Sequence, residues 1–565
     1  MTSNLAVDAF AAPYATADET LAAELLAQAP LSSEAKAHID RLASRLIVAA
    51  RSKSARIGGF DDLLREYSLS SEEGLALMVL AEALLRVPDD LTADRLIADK
   101  LSSAHWNRHA GGSDVLVVAA SAWALGMTAR VIEKGKTAEG VVAALARRIG
   151  MGTVRVAARK AMQIMGSHFV LGRTIEEGLA RATSKEGRHY RYSFDMLGEG
   201  ARTAEDAARY FDSYAHAIDR IGRSAGRQRL PNRPGISVKL SALSPRYEPQ
   251  SRARVMAELV PCVTQLAQMA KARDLNFTID AEEADRLELS LDVVHCLLAD
   301  PSLAGWDGFG LAVQAYQKRA AAVIDHVIAT ARHYGRYVMV RLVKGAYWDT
   351  EIKRAQERGL ADYPVFSRKA MTDLNYIACA RLLLDARETI YPQFATHNAL
   401  TIATIVEIAG GVEGYEFQRL YGMGDGLYAA LRREYPNAAC RVYAPVGAHE
   451  NLLAYLVRRL LENGANSSFV SRLADPHVPL AELLQRPQSL IASPDQARAP
   501  NLPLPEDIHA PDRKVAKGLE FGDRRAVSAL MADIAKARWP REAMPVILGP
   551  KRQATRYEIR SPIDG

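Results

Sequence analysis

The sequence predicts an α/β protein organised around a TIM-like (β/α)8 barrel. A helical arm and an all-α domain precede the barrel, and a proline-rich linker follows it. Three observations carry this prediction. Short apolar runs at 192–197, 236–240, 277–281, 309–315, 337–343, 394–396, 415–420 and 441–444 alternate with longer helical stretches. No strand signal precedes about residue 190. Eight βα units in succession close into a barrel more often than they form an open sheet.

Residues 1–50 read as a helical N-terminal arm and 51–185 as an α-helical domain. Within them, 32–50 and 70–85 are amphipathic at helical spacing, and Ser70 with Glu73 forms a capping box. The stretch 141–165 is helical and basic, and a solvated helix surface explains its arginines better than nucleic acid does. The barrel takes 186–474. From 475 to 550 the chain is a linker, rich in proline up to residue 512 and so extended or wrapped over a surface. Residues 551–565 open a new pattern, the start of a further domain that does not continue in this chain.

Of 565 residues, 48% are hydrophobic, enough for a substantial core. A net charge of +6 is small for this length and makes no case for nucleic acid by itself. Cys262, Cys296, Cys379 and Cys440 are scattered without metal-ligand spacing, which fits a reducing compartment. His449-Glu450 does not extend to a zinc-binding HExxH, so no metal is expected. The N-terminus lacks the basic and apolar regions of a secretory signal. The longest apolar run, near 115–127, is too short to span a bilayer. The expected location is the cytoplasm, with peripheral membrane contact open.

The most informative stretch is YAPVGAHENLLAYLVRRLLENG, residues 443–464. On its helix Tyr455, Arg458, Arg459 and Glu462 fall at i, i+3, i+4 and i+7, which is one continuous face. The helix stops at Asn463-Gly464, so Glu462 stands at the negative end of the dipole, where something must compensate it. Two adjacent guanidiniums can fork onto one carboxylate. The face reads as a clamp for a small carboxylate ligand, closed by a tyrosine. A solvated face with internal ion pairs is the alternative.

Barrel enzymes carry their chemistry at the C-terminal strand ends. Read in order, those positions give Glu199, Lys239, Asp280, Gln314, then Arg341 and Lys344, then Thr396 and His397, then Leu420 with the glycines of LYGMGDG, and finally Tyr443. Polar groups inside apolar strands are costly unless paired, and so many at one rim point to a site. The rim is too basic for a small acid alone. A dinucleotide fits, and a flavin would need donors aimed at its ring, which Arg341, Lys344 and Gln314 can supply. Trp348 and Tyr347 offer flat surface.

The segments SVKLSALSPRY, FTIDAEEADRLELSL, VRLVKGAYWDTEIKRAQ, FATHNA, EFQRLYGMG and YAPVGAHENLLAYLVRRLLENGAN closely resemble the proline dehydrogenase part of the bifunctional proline utilisation flavoproteins. The resemblance extends over the helical N-terminal part, the linker and the first residues of an aldehyde dehydrogenase module. It implies FAD as cofactor, L-proline as substrate, oxidation to 1-pyrroline-5-carboxylate by hydride transfer to the flavin, and a quinone at a membrane surface as acceptor. It also implies a homo-oligomer in the full-length form. Oxidation of glutamate semialdehyde is not expected of this chain.

Carried onto this sequence, Lys239, Asp280, Tyr347, Leu420, Tyr443, Tyr455, Arg458 and Arg459 match substrate-site positions, and Glu199 matches an acid that gates the site by pairing with Arg458. Gln314, Arg341, Val343, Lys344, Gly345, Trp348, Thr396, His397, Glu462 and Phe469 match flavin-contacting positions. Asp280, Arg341 and Lys239 are the expected catalytic residues. Some members of the family begin with a ribbon–helix–helix segment. Nothing in residues 1–34 looks like one, so DNA is not an expected partner. Two rivals remain open: a cofactor-free lyase or aldolase with Lys239 as Schiff-base nucleophile, and a scaffold or DNA-binding regulator built on the N-terminal helices.

Overall fold

The computed structural model describes residues 8–28, 31–54, 169–447, 469–475 and 477–537, together with isolated positions at 92, 555, 557–560 and 562. Eight strands, β1 (Arg191–Met196), β2 (Gly235–Val238), β3 (Asn276–Ile279), β4 (Phe309–Gln314), β5 (Val338–Val343), β6 (Ile390–Ala395), β7 (Glu416–Leu420) and β8 (Cys440–Val446), pair in parallel and in chain order. β8 closes back on β1, with Ser193 opposite Tyr443. The expected closed barrel is therefore present.

Most of the strands are short, largely apolar runs, as a parallel sheet covered by helices requires, while β1 (RYSFDM) and β7 (EFQRL) carry several polar residues. β5 reads VMVRLV, and five of its six residues are buried. Its one charged residue, Arg341, turns into the barrel and makes its bonds there, so the strand keeps its apolar outer face. β6 starts at Ile390, four residues before the expected run, because Pro392 sits inside it. A proline cannot donate to a ladder and conceals a strand in the sequence. Here Pro392 takes its place opposite Val340.

The helices pack outside. α1 (Asp18–Leu26) and α2 (Ser33–Ser54) belong to the arm, and α2 runs past the expected boundary at residue 50. α3 (Ile175–Ala182) packs beside β8 and so belongs with the barrel, although the expected barrel began at 186. α4 (Ala204–Ser224) opens with a capping box of Thr203 and Asp206. α5 (Arg252–Ala272), α6 (Leu287–Ala299), α7 (Ala320–His333), α8 (Trp348–Glu357), α9 (Lys369–Asp385), α10 (Ala399–Ala409) and α11 (Asp425–Glu434) follow the strands β2 to β7. α10 starts where Asn398 accepts from the amides of Leu400 and Thr401. It ends at Gly410 in the left-handed region, φ 71°.

The arm is anchored by a buried ionic knot. Asp18 of α1 takes Lys318 Nζ at 2.8 Å and the Ser367 hydroxyl at 2.6 Å. The stretch 498–524 is tied to the barrel by three contacts. Arg498 binds Asp362 at 2.7 Å, Pro503 accepts from the Tyr363 hydroxyl at 2.7 Å, and Arg524 binds Asp292 at 2.7 Å. α12 (Phe469–Ala474) stands at the end of the barrel, and within the linker lies a 13-residue helix, α13 (Arg524–Lys536), which the linker reading did not foresee.

The N-terminal floor of the barrel is closed by charge. Glu416 is fully buried and accepts from Arg441 at 2.6 Å, Arg191 at 2.8 Å and Gln393 at 2.8 Å. Burial alone would raise the Glu416 carboxyl, but Arg441 and then Arg191 hold it below the usual carboxylate range.

Candidate active site

The opposite, C-terminal mouth carries the site. Four ionisable residues meet inside it: Asp195 from β1, Lys239 just after β2, Asp280 just after β3 and Arg341 from β5, all less than a tenth exposed. Lys239 Nζ lies 2.8 Å from Asp195 Oδ1 and 3.3 Å from Asp280 Oδ2. Arg341 donates to Asp280 Oδ1 at 2.7 Å. Tyr443 donates to Asp280 Oδ2 at 2.6 Å and sits 3.3 Å from Lys239 Nζ. Two cations face two carboxylates, so the cluster is neutral as a whole, which is the condition for keeping charges buried.

Arg341 is held in place from every side. Its Nε donates to Gln418 Oε1 at 2.7 Å, its Nη1 to Ser237 at 3.0 Å and its Nη2 to Ser193 at 3.1 Å. The guanidinium lies 5.1 Å from the centre of the Tyr443 ring. With five N–H groups in all, one remains without an acceptor among the described residues.

The electrostatics fix the state of Lys239. Burial would lower its pKa, but Asp195 first, then Tyr443 and Asp280, hold it well above the usual lysine range. It is an ammonium. A Schiff-base nucleophile must be a neutral amine, so this environment opposes the lyase rival. Burial also raises Tyr443 well above its usual value, and Asp195 and Asp280 add to the effect, so its hydroxyl stays a donor.

The remaining expected residues sit around this cluster. Leu420 and Tyr443 pack together against Phe169, Val170, Leu197 and Met423, an apolar wall on one side of the mouth. Glu199 lies in the loop after β1, partly exposed. Gln314, Val343, Lys344, Gly345, Tyr347, Trp348, Thr396 and His397 form an arc over the ends of β4, β5 and β6. Lys344 pairs with Asp373, and the Gln314 amide donates to the Glu282 carbonyl at 2.7 Å. His397 Nε2 accepts from the Leu420 amide at 3.2 Å, so the proton of a neutral ring is on Nδ1. Gly345 has φ 137°, and a Cβ there would meet the Tyr316 ring at 2.4 Å, so only glycine fits this turn. Phe469 begins α12 and is partly buried. Tyr455, Arg458, Arg459 and Glu462 lie outside the described residues.

Four contributors were not read from the sequence: Ser193, Asp195, Ser237 and Gln418. The signal was there. Ser193 and Asp195 are two apart in RYSFDM, hence on one face of a strand, and polar residues on the inward face follow the same rule that selected Lys239.

Residues 178–472 match the family model described as proline dehydrogenase. The chain belongs to the proline dehydrogenase family. It is 45% identical over 96% of its length to the Bifunctional protein PutA of Klebsiella aerogenes, covering 43% of that protein. It is 46% identical over 92% of its length to the PutA of Rhizobium meliloti, covering 42% of that one. A solved structure of proline utilization A from Bradyrhizobium japonicum, a mutant, superposes with a TM-score of 0.76 at 60% identity, covering 94% of this chain and 53% of that chain. The chain thus spans less than half the length of these curated relatives. The matched stretch places the whole proline dehydrogenase barrel, β1 to β8, within the family model.

Residues 59–169 match a second model, described as the DNA-binding domain of proline dehydrogenase. The expectation that DNA is not a partner rested on residues 1–34, and this match corrects its basis: it falls on a different stretch, nearly all of it outside the described residues.

Proposed function

We propose that this chain oxidises L-proline to 1-pyrroline-5-carboxylate, with FAD as its cofactor and a quinone as the final acceptor. Family membership supports the reaction class. The observation that carries the reading is the neutral cluster of Asp195, Lys239, Asp280 and Arg341 at the barrel mouth, beside an arc of polar and aromatic side chains over the ends of β4, β5 and β6.

The residues present fit a flavin. Lys344, Thr396, His397, Gln314 and Arg341 supply cationic, hydroxyl, imidazole and amide donors over three adjacent strand ends. Trp348 is 39% exposed although its indole N–H is fixed to the Phe366 carbonyl at 2.9 Å, and an immobilised, uncovered tryptophan suits a flat ligand. Bound on this arc, FAD would supply a hydride acceptor.

The chain's own residues then orient the substrate. Arg458 and Arg459 fork onto the proline carboxylate, with Glu199 as the gate over it. Leu420, Tyr443, Tyr455 and Tyr347 pack the ring and exclude water. The amine must be neutral when hydride departs, because a full positive charge opposes formation of the cationic product. The Lys239 ammonium lowers the pKa of an amine placed near it. Arg341 puts a fixed positive charge where negative charge develops on the acceptor. These tasks are positioning and electrostatics, which account for much of the barrier in such reactions.

Among the described residues, no helix is long and apolar enough to cross a membrane. In the proposed reading the electrons pass from the flavin to a quinone at a membrane surface. The absorption spectrum of the purified protein tests the main reading. A flavin band that bleaches when L-proline is added without oxygen is expected. A colourless protein, or a flavin indifferent to proline, overturns it.

The match at 59–169 favours a second reading beside the first, contact with nucleic acid. A dissociation constant for duplex DNA that weakens steeply with salt would carry it. The absence of binding at low salt would end it.

A further inference from the structure

The proposed reading of the mouth leaves one charged residue without a task. Asp195 is 1% exposed, more deeply buried than Lys239, Asp280 or Arg341. It is also the nearer carboxylate to Lys239, at 2.8 Å against 3.3 Å for Asp280. Its Oδ1 carries that contact, and its Oδ2 has no hydrogen-bond partner among the described residues. An acid placed there only to fill space would be expensive.

We propose that Asp195 is a positioning residue of the site: it anchors the Lys239 ammonium and thereby frees Asp280 to accept from Arg341 and Tyr443. This inference rests on the proposed reading of the mouth.

The geometry shows why a second acid is needed. Asp280 already takes Arg341 on Oδ1 at 2.7 Å and Tyr443 on Oδ2 at 2.6 Å. If it also had to neutralise Lys239 alone, the mouth would carry an excess positive charge and the ammonium would be drawn onto Oδ2. With Asp195 present, Lys239 bridges the two acids and the pose of Tyr443 is kept. The groups facing Lys239 are Asp195 from β1, Asp280 from the end of β3, Tyr443 from β8 and Tyr214 from α4, whose hydroxyl lies 3.3 Å from the Lys239 amide nitrogen. Burial raises the Asp195 carboxyl, and the Lys239 ammonium against it opposes that rise. Once Lys239 is replaced by an apolar residue, Asp195 takes up a proton, and an asparagine in its place changes little.

The test uses Asp195→Asn, Lys239→Met and the double variant, each purified with FAD bound. The readouts are KM, kcat and the pH dependence of kcat/KM for L-proline. Calorimetric affinity for cyclopentanecarboxylate, a five-membered-ring acid with no nitrogen to oxidise, is a readout independent of turnover. In Asp195→Asn the alkaline limb of the profile should move down by roughly 1–3 pH units, because a lysine that loses an adjacent opposite charge gives up its proton earlier. Lys239→Met and the double variant should coincide in profile and in affinity. A wild-type limb with uniformly reduced kcat in Asp195→Asn would make Asp195 merely structural and overturn the inference. So would a double variant that differs from Lys239→Met, a comparison that decides the matter even if Asp195→Asn does not fold. A wild-type protein that proline does not bleach defeats the reading of the site instead. Bleaching wild type with non-coincident variants defeats the role of Asp195 alone.

Discussion

Tyr443, on β8, donates to Asp280 Oδ2 at 2.6 Å, reaching past β1 and β2 to the end of β3. This bond ties the apolar wall of the mouth, which Tyr443 shares with Leu420, to the charged cluster of Asp280, Lys239 and Arg341. A ring packed against the wall would therefore lie against a hydroxyl whose orientation the cluster sets.

Tyr443→Phe keeps the ring and removes the donor. A hydrogen bond to a charged group contributes about 1.5–3 kcal/mol, so kcat/KM for proline should fall about tenfold or more while the flavin stays bound. Steady-state kinetics beside the flavin absorbance of the purified variant checks both halves. An unchanged kcat/KM would mean that the Tyr443 hydroxyl takes no part.

At the other end of the barrel, Glu416 compensates both Arg441 and Arg191. Glu416→Gln leaves the buried Arg441 guanidinium and the half-buried Arg191 guanidinium underneutralised, and breaking a buried pair such as Glu416–Arg441 costs about 3–5 kcal/mol. The unfolding midpoint should drop accordingly. Proline KM should move much less, because Gln418, which bonds Glu416 at 3.0 Å, also accepts from Arg341 at 2.7 Å and keeps that bond. The folded-state pKa of Glu416 is depressed, so its contribution is present above the ordinary carboxylate range and is lost as pH falls through the depressed value. The variant should lose that acid dependence. Denaturant titrations across the acid range, with and without the substitution, measure it.

The barrel was legible because parallel strands buried on both faces read as apolar runs, and all eight were found. Its charged interior was read only in part. Lys239 and Asp280 follow their strands and Arg341 stands within β5, two residues short of its end, whereas Asp195, one residue short of the end of β1, and Gln418, in the middle of β7, were passed over. Pairing across the barrel is what makes these residues affordable, and pairing between residues such as Ser193 and Arg341, 148 positions apart, leaves no local trace. α13 was hidden for a different reason. The prolines before it set the character of the whole linker, and its start depends on Asp523 accepting from the amides of Arg525 and Ala526, a cap visible only at short range.

Glu351, in the helix that follows the arc, should make stability fall in the neutral range. It is buried and accepts from the Ala284 amide at 2.8 Å. Its pKa is raised from 4.5 to about 8, chiefly by burial, with Asp285 and Glu283 adding and the Ala284 amide and Arg354 opposing. Between those two values the native state holds a proton that the unfolded chain has released. Stability from this group is therefore complete below about pH 4.5 and is lost as pH rises through about 8. Glu351→Gln retains the acceptor and cannot ionise. It should match wild type near pH 4.5 and exceed it at about pH 9 by a few kcal/mol at most. Urea unfolding at the two pH values decides, and equal midpoints at the higher one would show that Glu351 ionises without cost.

Arg458→Met tests the clamp. If the twin arginines grip the substrate carboxylate, removing one charge-assisted fork costs on the order of 2–5 kcal/mol. The proline KM should then rise by more than about tenfold, with the flavin still bound and its spectrum unchanged. The loss should be selective for the carboxylate. Prolinamide, which keeps the ring and the amine but has no negative charge, should bind wild type and variant alike. A variant that binds proline as tightly as wild type would show that the face of Tyr455, Arg458 and Arg459 is directed away from the ligand. A variant that loses proline and flavin together would instead make Arg458 a support of the flavin arc.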